Sequence, residues 1–253
     1  MLAPEYDTMR RVEDSHWWYA VLRDAVVREV RRLAGDIREA HILDAGCGTG
    51  GTLVRLQREN PSWQLSGVDF SPQAVEITQA RGIEHVRQGD VARLPAADGE
   101  FDGIVSLDVL YHKDVDEPAA VAEFHRALKP GGFLVTNDPA FGILYGSHDK
   151  AVNGARRYTK ARVRALLETA GFQIERQQYW NAWLFPPVCA WRVLSRGLSS
   201  RKAAEDNKSD LSQLPAWVNA AVATLGRADF TLCRALSLPF GTSVFTVARK
   251  CAP

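Results

Sequence analysis

The chain has 253 residues, of which 46% are hydrophobic and 24% charged, a composition that suits one folded domain with a sizeable core and excludes a disordered chain. Its 31 Lys and Arg residues nearly balance 30 Asp and Glu residues, so the overall basic excess of a nucleic-acid-binding protein is absent. The charged first residues lack the apolar core of a signal peptide, and no apolar run reaches the roughly 18 residues that span a bilayer. We therefore expect a cytoplasmic protein with no stable membrane insertion.

The first predicted element is an amphipathic helix over residues 14–34. Its apolar side chains recur at steps of three and four residues, and its arginines lie off that stripe. Asp14 or Ser15 is the expected N-cap, and Gly35 the expected end. We expect residues 1–40 to form a cap helix that packs on the next part of the chain.

Residues 41–180 alternate short apolar strands with helices. Five strands and three intervening helices lead to residue 139; a helix capped by Thr159 and a sixth strand, FQIERQQYW, follow. This alternation requires crossover connections, which predicts a parallel sheet covered by helices on both faces, a doubly wound α/β fold.

Residues 181–237 form a predicted helical insertion between the sixth strand and a seventh, which lies within 238–253. The insertion contains an aromatic stretch, WLFPPVCAWRVL, a polar hinge, SRGLSSRKAAEDNKSD, and a helix from about residue 216 to 236. The whole chain is thus interpreted as one domain with a cap over its substrate site.

A glycine-rich turn, DAGCGTGG at residues 44–51, ends the first strand. Glycines let a backbone turn tightly and let a ligand approach closely, and the next helix directs free amides toward an anionic group. The spacing of Gly46, Gly48 and Gly51 fits the dinucleotide fingerprint, whereas Asp44, Gly46, Gly48 and Gly50 have the form found in methyltransferases. The turn alone leaves both cofactors open.

Motifs at the ends of the following strands favour the second cofactor. Asp69 ends the second strand, where a carboxylate can accept hydrogen bonds from ribose hydroxyls, and Asp90 ends the third, where it can accept from the adenine amine. With FDGIVSLDVLYH at 101–112 and LKPGG at 128–132, this series resembles the class I S-adenosylmethionine-dependent methyltransferases, in their small-molecule branch. The resemblance implies a seven-stranded Rossmann-like sheet, S-adenosyl-L-methionine as cofactor and S-adenosyl-L-homocysteine as product.

The resemblance also implies how the cofactor lies. The segment His16-Trp17-Trp18 resembles the "HWW" opening of one bacterial subgroup, in which the N-terminal segment closes over the cofactor. The implied contacts are the methionine part against Asp44, Gly46 and Gly48, its carboxylate near Tyr19 and Arg23, the ribose on Asp69, the adenine near Phe70, Asp90 and Val91, and the sulfonium above Leu107.

Three side chains are candidates for acceptor chemistry. His112 follows the fourth strand next to the expected methyl position and is suited to act as a base; the alternative is a histidine that only shapes the pocket. Tyr158 lies in an Arg-Arg-Tyr-Thr segment that resembles one in the subgroup; the alternative is that Thr159 is simply a helix cap and the arginines tie the loop to acidic neighbours.

Asp229 lies on the apolar stripe of the last helix, where a carboxylate must be paired or face a cavity. It is interpreted either as an acceptor-binding group or as the partner of an arginine such as Arg192. Asp108 and His112 lack a third ligand at a suitable spacing, so we expect no metal.

We expect methyl transfer to an N, O or C atom of a small, aromatic or apolar secondary-metabolite acceptor by a monomer or homodimer that takes no nucleic acid. Two alternatives stay open: an NAD(P)-dependent oxidoreductase and a non-catalytic scaffold that binds the cofactor.

Overall fold

A seven-stranded sheet with helices on both faces organises the computed structural model, which describes residues 3–198 and 214–251. The strand order is β3-β2-β1-β4-β5-β7-β6. The strands are β1 His41–Ala45, β2 Gln64–Asp69, β3 Val86–Gln88, β4 Phe101–Leu107, β5 Leu128–Pro139, β6 Phe172–Trp180 and β7 Ser243–Lys250. The doubly wound α/β prediction is confirmed.

The parallel arrangement expected from the strand–helix alternation is found for β1 to β6, and β7, whose direction the sequence did not predict, runs the other way. This strand runs antiparallel to both β5 and β6, and Ser243 at its start pairs with Trp180 at the end of β6. The chain therefore leaves β6 and enters β7 at the same edge of the sheet. The sheet is therefore mixed.

All six individually predicted helices are found in place, and the described residues contain three more. The helices are α1 Ala3–Val12, α2 Trp17–Ala34, α3 Gly51–Glu59, α4 Pro72–Gln79, α5 Glu117–Ala127, α6 Ser147–Ala151, α7 Lys160–Thr169, α8 Phe185–Leu198 and α9 Ala216–Leu236, with 3-10 turns at Gly142–Leu144 and Ala182–Leu184. The three additional helices are α1, α6 and α8. Ser71 caps α4, Thr159 caps α7 and Gly35 ends α2, as predicted. Most of the predicted polar hinge, residues 199–210, lies outside the described residues.

The start of the cap helix differs from the prediction. A separate helix, α1, precedes it, so residues 13–15 form the turn between α1 and α2, and Asp14 faces Arg81 at 2.7 Å instead of capping. His16 is the N-cap of α2, since its Nδ1 accepts a hydrogen bond from the Trp18 amide at 3.3 Å.

Two apolar layers form the core, one on each face of the sheet. The first holds the buried faces of α2, α3 and α9, with Val26, Val30 and Phe230 among its members; the second lies under α5 and α7. The prediction that the apolar stripe of α2 lies on the sheet is thus confirmed. None of the helices in residues 3–198 and 214–251 combines the length and the hydrophobicity needed to cross a bilayer.

Candidate cofactor and acceptor site

A cavity of about 660 Å³ lies at the carboxyl ends of the parallel strands β1 to β4 and is lined on its other side by α1 and α2. Parallel strands end at one edge of a sheet, so residues distant in sequence meet there. The ten residues predicted to bind the cofactor all line it: Tyr19, Arg23, Asp44, Gly46, Gly48, Asp69, Phe70, Asp90, Val91 and Leu107. Their individual contacts with a cofactor stay predictions.

The turn at the floor of the cavity requires glycine at two positions, because a side chain there would be strained and would meet its neighbours. Gly46 has φ +87° and Gly48 φ +53°, a left-handed backbone that favours glycine. A Cβ at Gly46 would overlap Val109, and one at Gly48 would lie 2.9 Å from the Met9 side chain. The amides of Gly46 and Cys47 both donate to the Val68 carbonyl, at 2.7 and 3.0 Å, which anchors the turn to β2.

Asp69 holds the end of β2 against this turn. Its carboxylate accepts hydrogen bonds from the Gly48 amide at 2.8 Å, the Ser71 amide at 2.9 Å and the Tyr6 hydroxyl at 3.1 Å. Phe70 beside it is 76% exposed, so its ring is free to pack against a planar ligand. A carboxylate next to an open aromatic face suits a nucleoside.

Asp44 makes the cavity favourable for positive charge. It is buried, and burial together with the negative charge of Asp69 raises the pKa of its carboxyl to about 7. A ligand with a cationic sulfonium or ammonium group would relieve this repulsion, whereas an anionic ligand would increase it. The carboxylates of Asp44 and Asp69 therefore fit the ammonium and sulfonium groups at the amino-acid end of S-adenosylmethionine.

The N-terminus of α3, where a dinucleotide would place its pyrophosphate, is already covered by side chains. A Cβ at Gly51 would overlap both the Glu13 carboxylate and the Arg23 guanidinium. Glu13 also accepts a hydrogen bond from the Thr49 hydroxyl at 2.6 Å. This carboxylate is an internal anion at the helix terminus, which disfavours the dinucleotide alternative.

Glu13 is the centre of a buried ionic network that joins the α1–α2 turn to the glycine turn. Its side chain is fully buried and is bound by the guanidinium groups of Arg23 and Arg81. Arg81 also donates to the Thr49 carbonyl at 2.9 Å, and Arg23 lies over the Tyr19 ring at 5.3 Å. Arg23 is predicted from the sequence to bind the cofactor carboxylate, and its guanidinium group is already paired with the Glu13 carboxylate.

His112 lies at the other end of the cavity, and its ring is tilted against that of Tyr111, with ring centroids 4.3 Å apart. Burial lowers its pKa to about 4, so the imidazole is neutral near pH 7. Its Nδ1 has no hydrogen-bond partner within the part of the chain that the structure describes. Arg157 also lines this end and binds Asp149 through two hydrogen bonds of 2.8 and 3.1 Å.

Tyr158 is not brought to the cavity. It is completely buried, and its hydroxyl lies 2.9 Å from the Leu110 carbonyl oxygen and 2.5 Å from the Glu117 carboxylate. These contacts tie the loop before α7 to the start of α5. The position explains Tyr158 as a packing residue.

Asp229 is also absent from the described residues that line the cavity. Its carboxylate accepts hydrogen bonds from the backbone amides of Asn181 at 2.6 Å and Trp183 at 3.2 Å. It therefore caps the 3-10 turn that begins the insertion, and its buried charge is stabilised by these amides.

The sequence analysis missed the contribution of α1 and of the turn that follows it. Tyr6, Met9 and Glu13 line the cavity, at steps of three and four residues along the chain. That spacing was the available signal, although charged residues interrupt the segment. Within the described residues, no group of three or more His, Cys, Asp or Glu side chains is placed to hold a metal ion.

Comparisons with known proteins agree with this geometry. A family profile described as a methyltransferase domain matches residues 42–132. An O-methyltransferase of Penicillium expansum is 33% identical over 125 residues, 47% of this chain and 45% of that protein. A demethylmenaquinone methyltransferase of Thermus thermophilus is 30% identical over 159 residues, 57% of this chain and 68% of the relative.

Among solved structures, the geranyl diphosphate C-methyltransferase of Streptomyces coelicolor, bound to S-adenosyl-L-homocysteine, has a TM-score of 0.57. Its identity is 16%, and the likeness covers 90% of this chain and 80% of that one, which shows a shared fold. Three curated relatives are matched over only 45%, 60% and 64% of their own length. The chain therefore spans about half to two thirds of the relatives that it matches.

Proposed function

Because this chain belongs to the S-adenosylmethionine-dependent methyltransferase family, we propose that it transfers a methyl group to an N, O or C atom of a small, largely apolar or aromatic acceptor. When bound, S-adenosyl-L-methionine supplies an electrophilic methyl group on a sulfonium. Methyl transfer removes charge from that sulfonium, so alignment of the acceptor and exclusion of water supply most of the catalysis.

The continuity of the cavity is the observation that carries this proposal. The same cavity contains the strand-end carboxylates Asp44 and Asp69 at one end and His112 and Arg157 at the other. A nucleoside-bearing cofactor at the first end would direct its reactive group toward the second. The second end is then the acceptor site.

An aromatic wall on the α2 side supports an apolar acceptor. Trp17 and Trp18 line the cavity. Trp18 also stacks on the buried Trp180, with ring centroids 5.8 Å apart. Trp17 contacts Trp183 of the insertion at 6.0 Å. Aromatic walls of this kind exclude water and bind planar apolar molecules. The named relatives, an O-methyltransferase and a demethylmenaquinone methyltransferase, favour a small-molecule acceptor.

We also propose that α1 and α2 form the closing segment that the "HWW" resemblance implies. The ionic network of Glu13 fixes the turn between these helices on the glycine turn, and Tyr6 binds Asp69. Because Tyr6 occupies one hydrogen-bonding position of Asp69, binding of a ribose to this carboxylate requires that contact to rearrange. Opening of α1 is thus the expected step before binding.

The test is methyl transfer from a labelled donor to a panel of small phenols, amines and activated carbon acids, with mass spectrometry to locate the methyl group. We expect turnover with at least one class. Binding of S-adenosyl-L-homocysteine without turnover would favour the non-catalytic scaffold. Thermal stabilisation by NADPH but not by S-adenosyl-L-homocysteine would favour the oxidoreductase.

A further inference from the structure

Asp108, the residue directly after β4, has an unusual backbone at the acceptor end of the cavity. Its φ is +54°, a left-handed value that costs free energy for a residue with a side chain. Its amide donates to the Asn137 carbonyl at 2.6 Å, which holds this conformation. Asp108 lines the cavity and is only partly buried. The backbone turn therefore presents a carboxylate to whatever binds there.

A relay of hydrogen bonds fixes that carboxylate. The Trp180 indole donates to Asn137 Oδ1 at 2.8 Å, which sets the orientation of the amide. The Asn137 Nδ2 then points at Asp108 and lies 3.2 Å from each carboxylate oxygen. Asn137 and Trp180 are both completely buried. One amide group satisfies a small part of the hydrogen-bonding capacity of a carboxylate, which leaves Asp108 able to accept further hydrogen bonds from a ligand in the cavity that it lines.

The charges around Asp108 are mixed. Burial raises the pKa of its carboxyl to about 7, although Asn137 and the positive charge of Arg157 oppose the rise. Asp138 on β5 and Tyr111 also lie near it, and burial together with the charge of Asp108 raises the pKa of each. Asp108 is thus an oriented carboxylate that gains or loses a proton near neutrality, which is the property of a general base.

We propose that Asp108 is the catalytic residue that binds and deprotonates the methyl-accepting group, and that the acceptor is therefore a hydroxyl- or amino-bearing compound. This inference rests on the proposed function. The acceptor oxygen or nitrogen forms a bond to the methyl carbon, the carbon–sulfur bond breaks with its electron pair left on sulfur, and the acceptor proton moves to the Asp108 carboxylate. The pKa of His112, about 4, makes it a weaker base at the same end.

Asp108→Asn is the informative variant. Asparagine adopts a left-handed backbone as readily as aspartate and can still accept from Asn137, so folding is expected to persist. The matched probes are naphthol, naphthylamine and methoxynaphthalene, which share a ring and differ in the presence of a transferable proton. His112→Gln is the control for the neighbouring base.

We expect Asp108→Asn to keep the S-adenosyl-L-homocysteine affinity of the wild type and to lower kcat/KM for naphthol by about 100-fold or more. The acidic limb of the wild-type pH profile should disappear in the variant, and its rate should recover at a pH where naphthol ionises unaided. His112→Gln should keep the acidic limb. If Asp108 only supported the fold, the rate of Asp108→Asn would not recover at high pH.

Binding separates this inference from the proposed function. Fluorescence titration of the S-adenosyl-L-homocysteine complex should show about tenfold tighter binding of naphthol than of methoxynaphthalene, and Asp108→Asn should abolish the difference. Equal affinities in the wild type, loss of S-adenosyl-L-homocysteine binding in the variant, or an unchanged pH profile would each overturn the role of Asp108. Preferential binding without methyl transfer would leave Asp108 as the acceptor ligand and remove the proposed reaction.

Discussion

Alanine at Gly46 and at Gly82 should have very different effects, although both glycines have φ +87°. A left-handed alanine costs about 1 kcal/mol of stability at either position. Nothing lies within 4 Å of a Cβ at Gly82, so that variant should lose no more than this. At Gly46 the Cβ would overlap Val109, which is only 8% exposed.

Overpacking of a well-packed site costs about 1–3 kcal/mol, which brings the total for Gly46→Ala to about 2–4 kcal/mol. Urea unfolding measures this difference directly, and Gly82→Ala is the matched control for backbone strain. Since the methyl group also displaces the turn that lines the cavity, S-adenosyl-L-homocysteine affinity should fall at least about tenfold in Gly46→Ala alone.

A second substitution tests the assigned cause. Val109→Ala in the Gly46→Ala background removes the overlapped methyl groups and should restore part of the stability that Gly46→Ala loses. Equal destabilisation by the two glycine substitutions, with intact ligand affinity, would refute the proposed close packing at the turn.

Three further predictions concern buried charge. Glu13→Gln should destabilise the fold by up to about 3 kcal/mol in chemical unfolding, because it removes the fully buried negative charge between the Arg23 and Arg81 guanidinium groups and leaves only the half-exposed Asp14 to pair with them. Arg10→Ala removes an exposed pair and should cost less than about 1 kcal/mol. Asp229→Asn should cost about 1–3 kcal/mol, because an amide nitrogen would face a backbone N–H, while the acceptor KM stays unchanged. Between about pH 4 and 6.5, His112 binds fewer protons in the folded chain than in the unfolded chain. The free energy of unfolding should therefore fall by at most about 3 kcal/mol as the pH falls through that range. Unfolding of His112→Gln should show a flatter pH dependence.

Each of these has a contrary outcome. Equal stability of Glu13→Gln and Arg10→Ala would remove the ionic network as the anchor of the N-terminal helices. A raised acceptor KM with unchanged stability in Asp229→Asn would return Asp229 to the acceptor site. Identical pH dependence of wild type and His112→Gln would show that the imidazole is hydrated.

The sequence allowed the cofactor end of the site to be predicted because its determinants are local. A glycine turn and carboxylates at successive strand ends can each be recognised within a few residues, and the parallel arrangement then brings them together. Asp44, Asp69 and Asp90 accordingly line one cavity, as expected. The helix caps at Ser71 and Thr159 were predictable for the same reason.

Pairings between distant segments could not be predicted. Glu13 and Arg81 are 68 residues apart, and Asp229 lies 48 residues from the amide of Asn181 that it binds. No hydrophobic period relates such positions, so Asp229 on an apolar stripe was equally consistent with a pocket residue. The direction of β7 likewise depends on where the insertion returns to the sheet, and spacing along the chain does not encode that.

Calorimetric titration with S-adenosyl-L-homocysteine, alongside NADPH, tests most directly whether the turn after β1 and the strand-end carboxylates bind a methionine-linked nucleoside. Saturable binding of one equivalent of S-adenosyl-L-homocysteine is predicted, weakened by Gly46→Ala and unaffected by Gly82→Ala, with no binding of NADPH. Binding of NADPH in place of S-adenosyl-L-homocysteine would contradict the account.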